Sequence, residues 1–157
     1  MSQFDDIELP DHAYVPGSTA RHESGAFDHF CVDAKPGMDV EALASCRAWR
    51  AGLKFLEAGF FWEAHEVLEA VWMALPTDSA DRQTVQALIQ YANAGLKQKM
   101  GRPGAASRLL VRASAHFRAG RGSLLERRLA LGWRDAERDL VALVNPNSAW
   151  KSVHYSA

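Results

Sequence analysis

The stretch "GFFWEAHEVLEAVW", residues 59–72, decides the fold. It is the most apolar and aromatic part of the chain, yet it carries Glu63, His65, Glu66 and Glu69. At about 100° per residue, Phe60, Ala64, Val67, Val71 and Leu75 fall in one sector, the signature of an amphipathic helix. Phe61, Leu68 and Trp72 widen that sector on one side. His65 comes next beyond Trp72, and Glu69 just beyond His65. Glu63 and Glu66 are expected on the opposite face, in solvent. Of the three acids, only Glu69 shares a face with His65, at the i, i+4 spacing where helical side chains meet.

The segments on either side also read as helices. Asp39 suits an N-cap, with Glu41 in the first turn where the helix dipole favours acids. Leu43, Cys46, Trp49, Leu53 and Leu56 follow at helical spacing until Gly59, which can close a helix with a positive φ. The helix of the opening stretch runs from Phe60 to Leu75 and stops before Pro76. A third begins at Asp78 or Asp81 and reaches Met100, with Gly101 past its end. Pro103 suits the first turn of a fourth, which extends to Ala119. "GRG" at 120–122 breaks the chain. Shorter helices are expected over 123–131 and 133–144, and "NPN" at 145–147 stops the last one. No stretch alternates apolar and polar residues as a strand does. The expected fold class is all-α, an array or bundle of five to six antiparallel helices joined by short loops. No self-similarity appears at a period of about 34 residues, so no solenoid is expected. Three parts follow: an irregular N-terminal arm over 1–38, a helical domain over 39–146 and a C-terminal tail over 147–157, where Trp150, His154 and Tyr155 lie.

Composition bounds the function. A chain of 157 residues fits one domain, and its 48% apolar content is enough for a core. A net charge of −1 excludes a strongly basic nucleic-acid binder on the total, but the charge is uneven. Residues 1–38 hold seven acids against Arg21 and Lys35, and residues 101–138 hold nine arginines against three acids. Arg102, Arg108, Arg112, Arg118, Arg121, Arg127 and Arg128 offer a basic face for RNA or an acidic protein, although no surface aromatics are interleaved with them. Two cysteines, Cys31 and Cys46, make neither a disulfide framework nor a zinc knuckle, and each reads as a small buried hydrophobe. The start lacks an apolar core, so no signal peptide is expected. No apolar run reaches the roughly 18 residues that a bilayer demands, so no membrane contact is expected. The expected location is cytoplasmic.

Chemistry is to be sought on the border of the opening helix. The third helix carries a polar stripe, Gln86, Gln90, Asn93 and Lys97, beside its apolar stripe of Val85, Ile89, Ala92, Leu96 and Met100. If the second and third helices form a hairpin, His65 and Glu69 face Gln86 and Gln90. Two readings follow. His65 and Glu69 supply one nitrogen and one oxygen ligand to a divalent metal from consecutive turns. Alternatively, they hydrogen-bond each other and the amides as a polar seam in the core. "HEVLE" does not complete the H-E-x-x-H zincin pattern, so a third ligand must come from elsewhere. "GRPGAAS" lacks the Lys-Ser/Thr pair of a phosphate loop. His116, near a helix C-terminus, suits the dipole as a cation.

"AGFFWEAHEVLEAVW" and the later "QALIQYANAGLKQKMGRPGAASRLLVRA" together resemble a small helical bacterial and archaeal family known as domain of unknown function 309. Its pattern of an aromatic, Glu-Ala-His-Glu-x-x-Glu-x-x-Trp and then Gln-Gly-Leu-Ile-Gln falls here on Glu63, Ala64, His65, Glu66, Glu69, Trp72, Gln86, Leu88, Ile89 and Gln90. Glu57 stands where the family has Asn, and Ala87 where it has Gly. "YVPGSTARHE" resembles a segment that some members carry ahead of the helices. The resemblance implies an all-α fold and no particular activity. It singles out His65, Glu69, Trp72 and Gln90, and it adds Arg21, His22 and Glu23, of which His22 or Glu23 can be the third ligand.

The expected site is therefore His65, Glu69, Gln86 and Gln90, roofed by Trp72 and by Arg21, His22 and Glu23 of the arm. Its occupant is a small molecule or a metal, and metal-assisted hydrolysis is the matching reaction. The competing expectation is an interaction module, in which His65 and Glu69 are structural and the arginines dock an acidic protein or RNA. Self-association is compatible with either.

Overall fold

In the computed structural model, which describes residues 6–129, seven helices and no strand are found among those residues. They are α1 (Asp28–Cys31), α2 (Val40–Leu43), α3 (Arg47–Ala58), α4 (Phe61–Ala74), α5 (Ala80–Lys99), α6 (Pro103–Ala119) and α7 (Leu124–Arg127). The opening stretch is α4. Pro76 follows its end, and Ser79 caps α5 by accepting from the Arg82 N–H. Gly59 and Gly101 take left-handed backbone, with φ of 81° and 75°, at the ends of α3 and α5.

Three expectations need adjusting. The single helix read from Asp39 to Gly59 is two helices. Asp39 does cap α2, but Cys46 then takes an extended conformation, with ψ of 158°, and starts α3 afresh. The arm, irregular otherwise, contains the short α1. Over 123–129, the described part of the helix expected at 123–131, α7 covers Leu124–Arg127. The helix expected over 133–144 and the tail with Trp150, His154 and Tyr155 lie outside the described residues.

Successive helices pack on one another: α3 on α4, α4 on α5, and α5 along α6, with α1 against both α3 and α4. Buried residues occur nearly all round α5, including Val85, Ala87, Leu88, Tyr91, Ala92 and Ala94. Its polar stripe, Gln86, Gln90, Asn93 and Lys97, is half-buried. Glycines let α4 sit close on both sides. A Cβ at Gly95 of α5 would lie 2.6 Å from the Phe61 ring, and one at Gly52 of α3 would lie 2.5 Å from Leu68. Both side chains belong to α4, so these approaches fix how that helix is rotated and where its acids point. No described helix is long and apolar enough to cross a membrane.

His116 lies in the last turn of α6 as expected, but burial opposes its cationic form. It is half-buried on α6, with Nδ1 2.7 Å from Gln83 Oε1, and burial lowers its pKa. Unfolded, it takes up a proton near the usual value of about 6.5; folded, it does so only at lower pH. Its contribution to stability is thus complete above about pH 6.5 and is lost as the pH falls through the lowered folded value. A His116→Gln variant should lose less melting temperature than the parent between about pH 7.5 and about pH 5. Equal losses would contradict this.

Candidate functional site beneath the N-terminal arm

Glu63 stands one helical turn before Val67, on the flank of the apolar stripe opposite His65. It is completely buried, contrary to the expectation that it is solvated. Periodicity within α4 cannot reveal this, because the cover comes from the arm. Glu63 Oε2 accepts the Tyr14 backbone N–H at 2.7 Å, and His22 Nε2 lies 2.7 Å from the same oxygen. Glu63 Oε1 is buried with no hydrogen-bond partner among the described residues.

The arm reaches this position through its own turn chemistry. In "YVPGST", Gly17 takes φ of 82°, and Thr19 Oγ1 accepts the Val15 N–H and donates to the Ala13 carbonyl, both at 2.7 Å. Further back, Lys54 holds the Ile7 carbonyl and Arg50 pairs with Asp6. This loop brings His12 and His22 together, with ring centroids 4.5 Å apart and planes inclined by 28°.

A carboxylate only accepts hydrogen bonds, so the partner fixes the tautomer of His22: Nε2 carries the proton, and in the neutral ring Nδ1 keeps its lone pair. Packing holds the ring. Phe27 meets it edge-on at 4.9 Å, Trp62 lies 5.9 Å away, and the side chain is only 8% exposed. His12 is pinned as well, with Nδ1 2.8 Å from Asp11 Oδ1 and Nε2 2.7 Å from the Ala20 carbonyl. The Ala20 carbonyl, and then Asp11, raise the His12 pKa. His12 in turn holds the Asp11 carboxyl below its usual range.

Beside His22 is a cavity of about 350 Å³, lined in part by Tyr14, Arg21, Phe27, Trp62 and Glu66, with Glu23 also in its wall. Arg21 Nε donates to the Tyr14 hydroxyl at 3.1 Å, and its guanidinium lies 5.6 Å from the centre of that ring. The wall thus presents aromatic faces, one fixed cation and carboxylates of differing exposure.

The residues expected to form one site divide into two groups. Arg21, His22 and Glu23 do fold over α4, but on the flank of Glu63. His65 and Glu69 form a partly exposed pair, 3.5 Å apart, with side chains 30% and 49% accessible. No hydrogen bond or ion pair among the described residues ties this pair to Gln86 or Gln90. Trp72 lies under the Arg82 guanidinium, 3.8 Å from the ring centre. The described residues that bring three metal-ligand side chains together are Asp11, His12 and His22, each offering one atom within 4.8 Å of the others. Sequence reading missed Asp11 and His12, although a histidine beside an acid in "PDHAY" was a signal available for them.

Other candidates are quiet. Burial pushes the Cys31 thiol up to about 11 and raises that of Cys46, so both stay protonated at neutral pH and neither is a ready nucleophile. The seven arginines from Arg102 to Arg128 are all exposed.

The comparisons with known proteins fall on the same helices. Residues 49–109 match the family described as Domain of unknown function (DUF309). That span covers α3 to α5 and the first turns of α6. Glu63 lies within the matched span, while His22, His12 and Asp11 come from the arm outside it. No curated protein and no solved structure matches the chain.

Proposed function

We propose that this chain is a small-molecule-binding domain whose working group is His22, held by Glu63 in the cavity between the arm and α4. The observation that carries this reading is the 2.7 Å contact of His22 Nε2 with a carboxylate that has no solvent exposure. A buried acid that fixes one imidazole nitrogen leaves the other to accept a hydrogen bond, or a proton, from a bound molecule. A cavity lined by Arg21, by Glu23 and Glu66, and by the Trp62 ring suits a small polar ligand bearing both signs of charge. The same imidazole is placed to serve as a general base in hydrolysis. We read α3 to α6, joined by short turns, as an antiparallel array that supplies the rigid floor. The two free cysteines fit a reducing compartment such as the cytoplasm.

A thermal-shift screen of small amines, carboxylates and zwitterions tests the reading. Stabilising compounds should lose their effect in His22→Ala and Glu63→Gln and keep it in His65→Ala. Effects that persist without His22, or vanish with His65, would return the site to the other flank of α4.

The exposed arginines support a second reading, docking of RNA or an acidic protein. RNA binding that weakens with salt supports it; no binding at low salt removes it.

A further inference from the structure

The arm holds a second chemical feature beside the cavity. His12 and His22 each have one ring nitrogen committed to an oxygen acceptor: the Ala20 carbonyl for Nε2 of His12 and the Glu63 carboxylate for Nε2 of His22, both at 2.7 Å. This leaves Nδ1 of His22 to accept a ligand, and leaves Nδ1 of His12 facing only the Asp11 carboxylate. Metal-bound histidines are held in this way, with the far N–H donated to a carbonyl or carboxylate that sets the tautomer and aims the ring. The third member, Asp11, places Oδ1 2.8 Å from His12 Nδ1, and its side chain is 91% accessible and free to swing.

We propose that Asp11, His12 and His22 bind one first-row divalent transition-metal ion, of which zinc is the type, with Glu63 and the Ala20 carbonyl as positioning groups. This rests on, and deepens, the reading of the arm cavity as the working site. Two imidazoles and one carboxylate disfavour magnesium and calcium, which take oxygen ligands. The absence of a thiolate disfavours copper(I). Three protein ligands leave a coordination position for water or for a molecule entering from the cavity. On binding, the ion takes the place of the proton between Asp11 Oδ1 and His12 Nδ1, and that proton goes to solvent. Because the two rings are inclined by only 28°, the ion must also draw them round toward itself.

Histidine–acid proximity alone does not carry the argument. His65 and Glu69 are also adjacent, but no third ligand among the described residues converges on them. That pair therefore serves as the internal control.

The test is titration of the metal-free full chain with Co²⁺, followed by visible absorption, and with Zn²⁺, followed by calorimetry. The expected result is one ion per chain. Asp11→Asn and His12→Gln should each weaken binding at least about tenfold, Glu63→Gln by about 10- to 100-fold, and His65→Ala not at all. The circular dichroism of the Asp11 and His12 variants should match the parent. No stoichiometric uptake would overturn the proposal, as would uptake that survives both Asp11→Asn and His12→Gln, or uptake lost in His65→Ala. Asp11 and His12 do not line the cavity, so the two readings fail separately. If no ion binds but compounds still stabilise the metal-free chain through His22, the metal inference falls and the cavity reading stands. If the ion binds as expected but no compound depends on His22, the metal inference stands and the cavity reading falls.

Discussion

Glu63→Ala should cost about 3 kcal/mol or more of folding free energy, since it leaves two buried donors, the Tyr14 N–H and His22 Nε2–H, without their acceptor at about 1–3 kcal/mol each. The side chains of Glu63 and His22 are 0% and 8% exposed. Without the carboxylate, the buried Tyr14 N–H loses its acceptor and His22 loses the group that aims it. A space also opens against a helix that Phe61 and Leu68 hold in place. The effect should be uneven along the chain. The helices keep their own packing, whereas the arm loses its anchor on α4, so limited proteolysis should cut first within the arm. Glu69→Ala is the matched control. Its pair with His65 is partly exposed, and such pairs contribute about 0–1 kcal/mol. Urea unfolding of the two variants decides the point, and equal losses would contradict the burial assigned to Glu63.

Gly120→Ala should be the most damaging of the glycine replacements that create no left-handed strain, at about 1–3 kcal/mol for overpacking. The residue has φ of −89°, so alanine meets no conformational objection there. The obstacle is space. An added Cβ would lie 2.2 Å from Thr84 Oγ1, 2.8 Å from the Thr84 backbone nitrogen and 3.1 Å from the Ala80 carbonyl. Two of these atoms belong to the backbone of α5 and cannot rotate away. The change also presses on the contacts that join α5 to the segment before α7: Thr84 Oγ1 to the Gly120 carbonyl at 3.2 Å, and Thr84 to the Ser123 hydroxyl at 2.8 Å. Gly104→Ala, in the first turn of α6, should have the opposite sign. Its nearest neighbour is the flexible end of Arg108 at 3.7 Å, and alanine gains about 0.5–1 kcal/mol in a helix. Melting curves of both variants test the pair of signs.

The helices were legible because their limits are local. Pro76, Gly59, Gly101 and Pro103 act on their own backbones, and each ends or begins a helix where sequence spacing puts it. The break at Cys46 was not legible, since Leu43, Cys46 and Trp49 keep helical spacing across it. The site was legible only in part. The triplet Arg21, His22 and Glu23 was identified with the arm, and the arm does lie on α4. The triplet lies on the Glu63 flank rather than beside His65, for a specific reason. A helical wheel ranks positions by their own helix, so it put Glu63 on the solvent face although that residue stands one turn from Val67, and left His65, beyond Trp72, as the border. Which border is sealed depends on where Tyr14 and His22 arrive, and that is a long-range choice made by the turn at Gly17 and by the contacts of Asp6 and Ile7 with α3. Gln86 and Gln90 are half-buried on α5, and no hydrogen bond among the described residues joins them to His65 or Glu69.

The contact between His22 and Glu63 is the claim on which the rest depends, and it can be observed directly by nitrogen-15 and proton NMR of the histidine rings in the metal-free chain. The account predicts that His22 carries its proton on Nε2, that this proton exchanges slowly with water, and that its resonance is lost or strongly shifted in Glu63→Gln but unchanged in Glu69→Gln. A His22 ring that exchanges as freely as a solvent-exposed histidine, and that does not respond to Glu63→Gln, would contradict it.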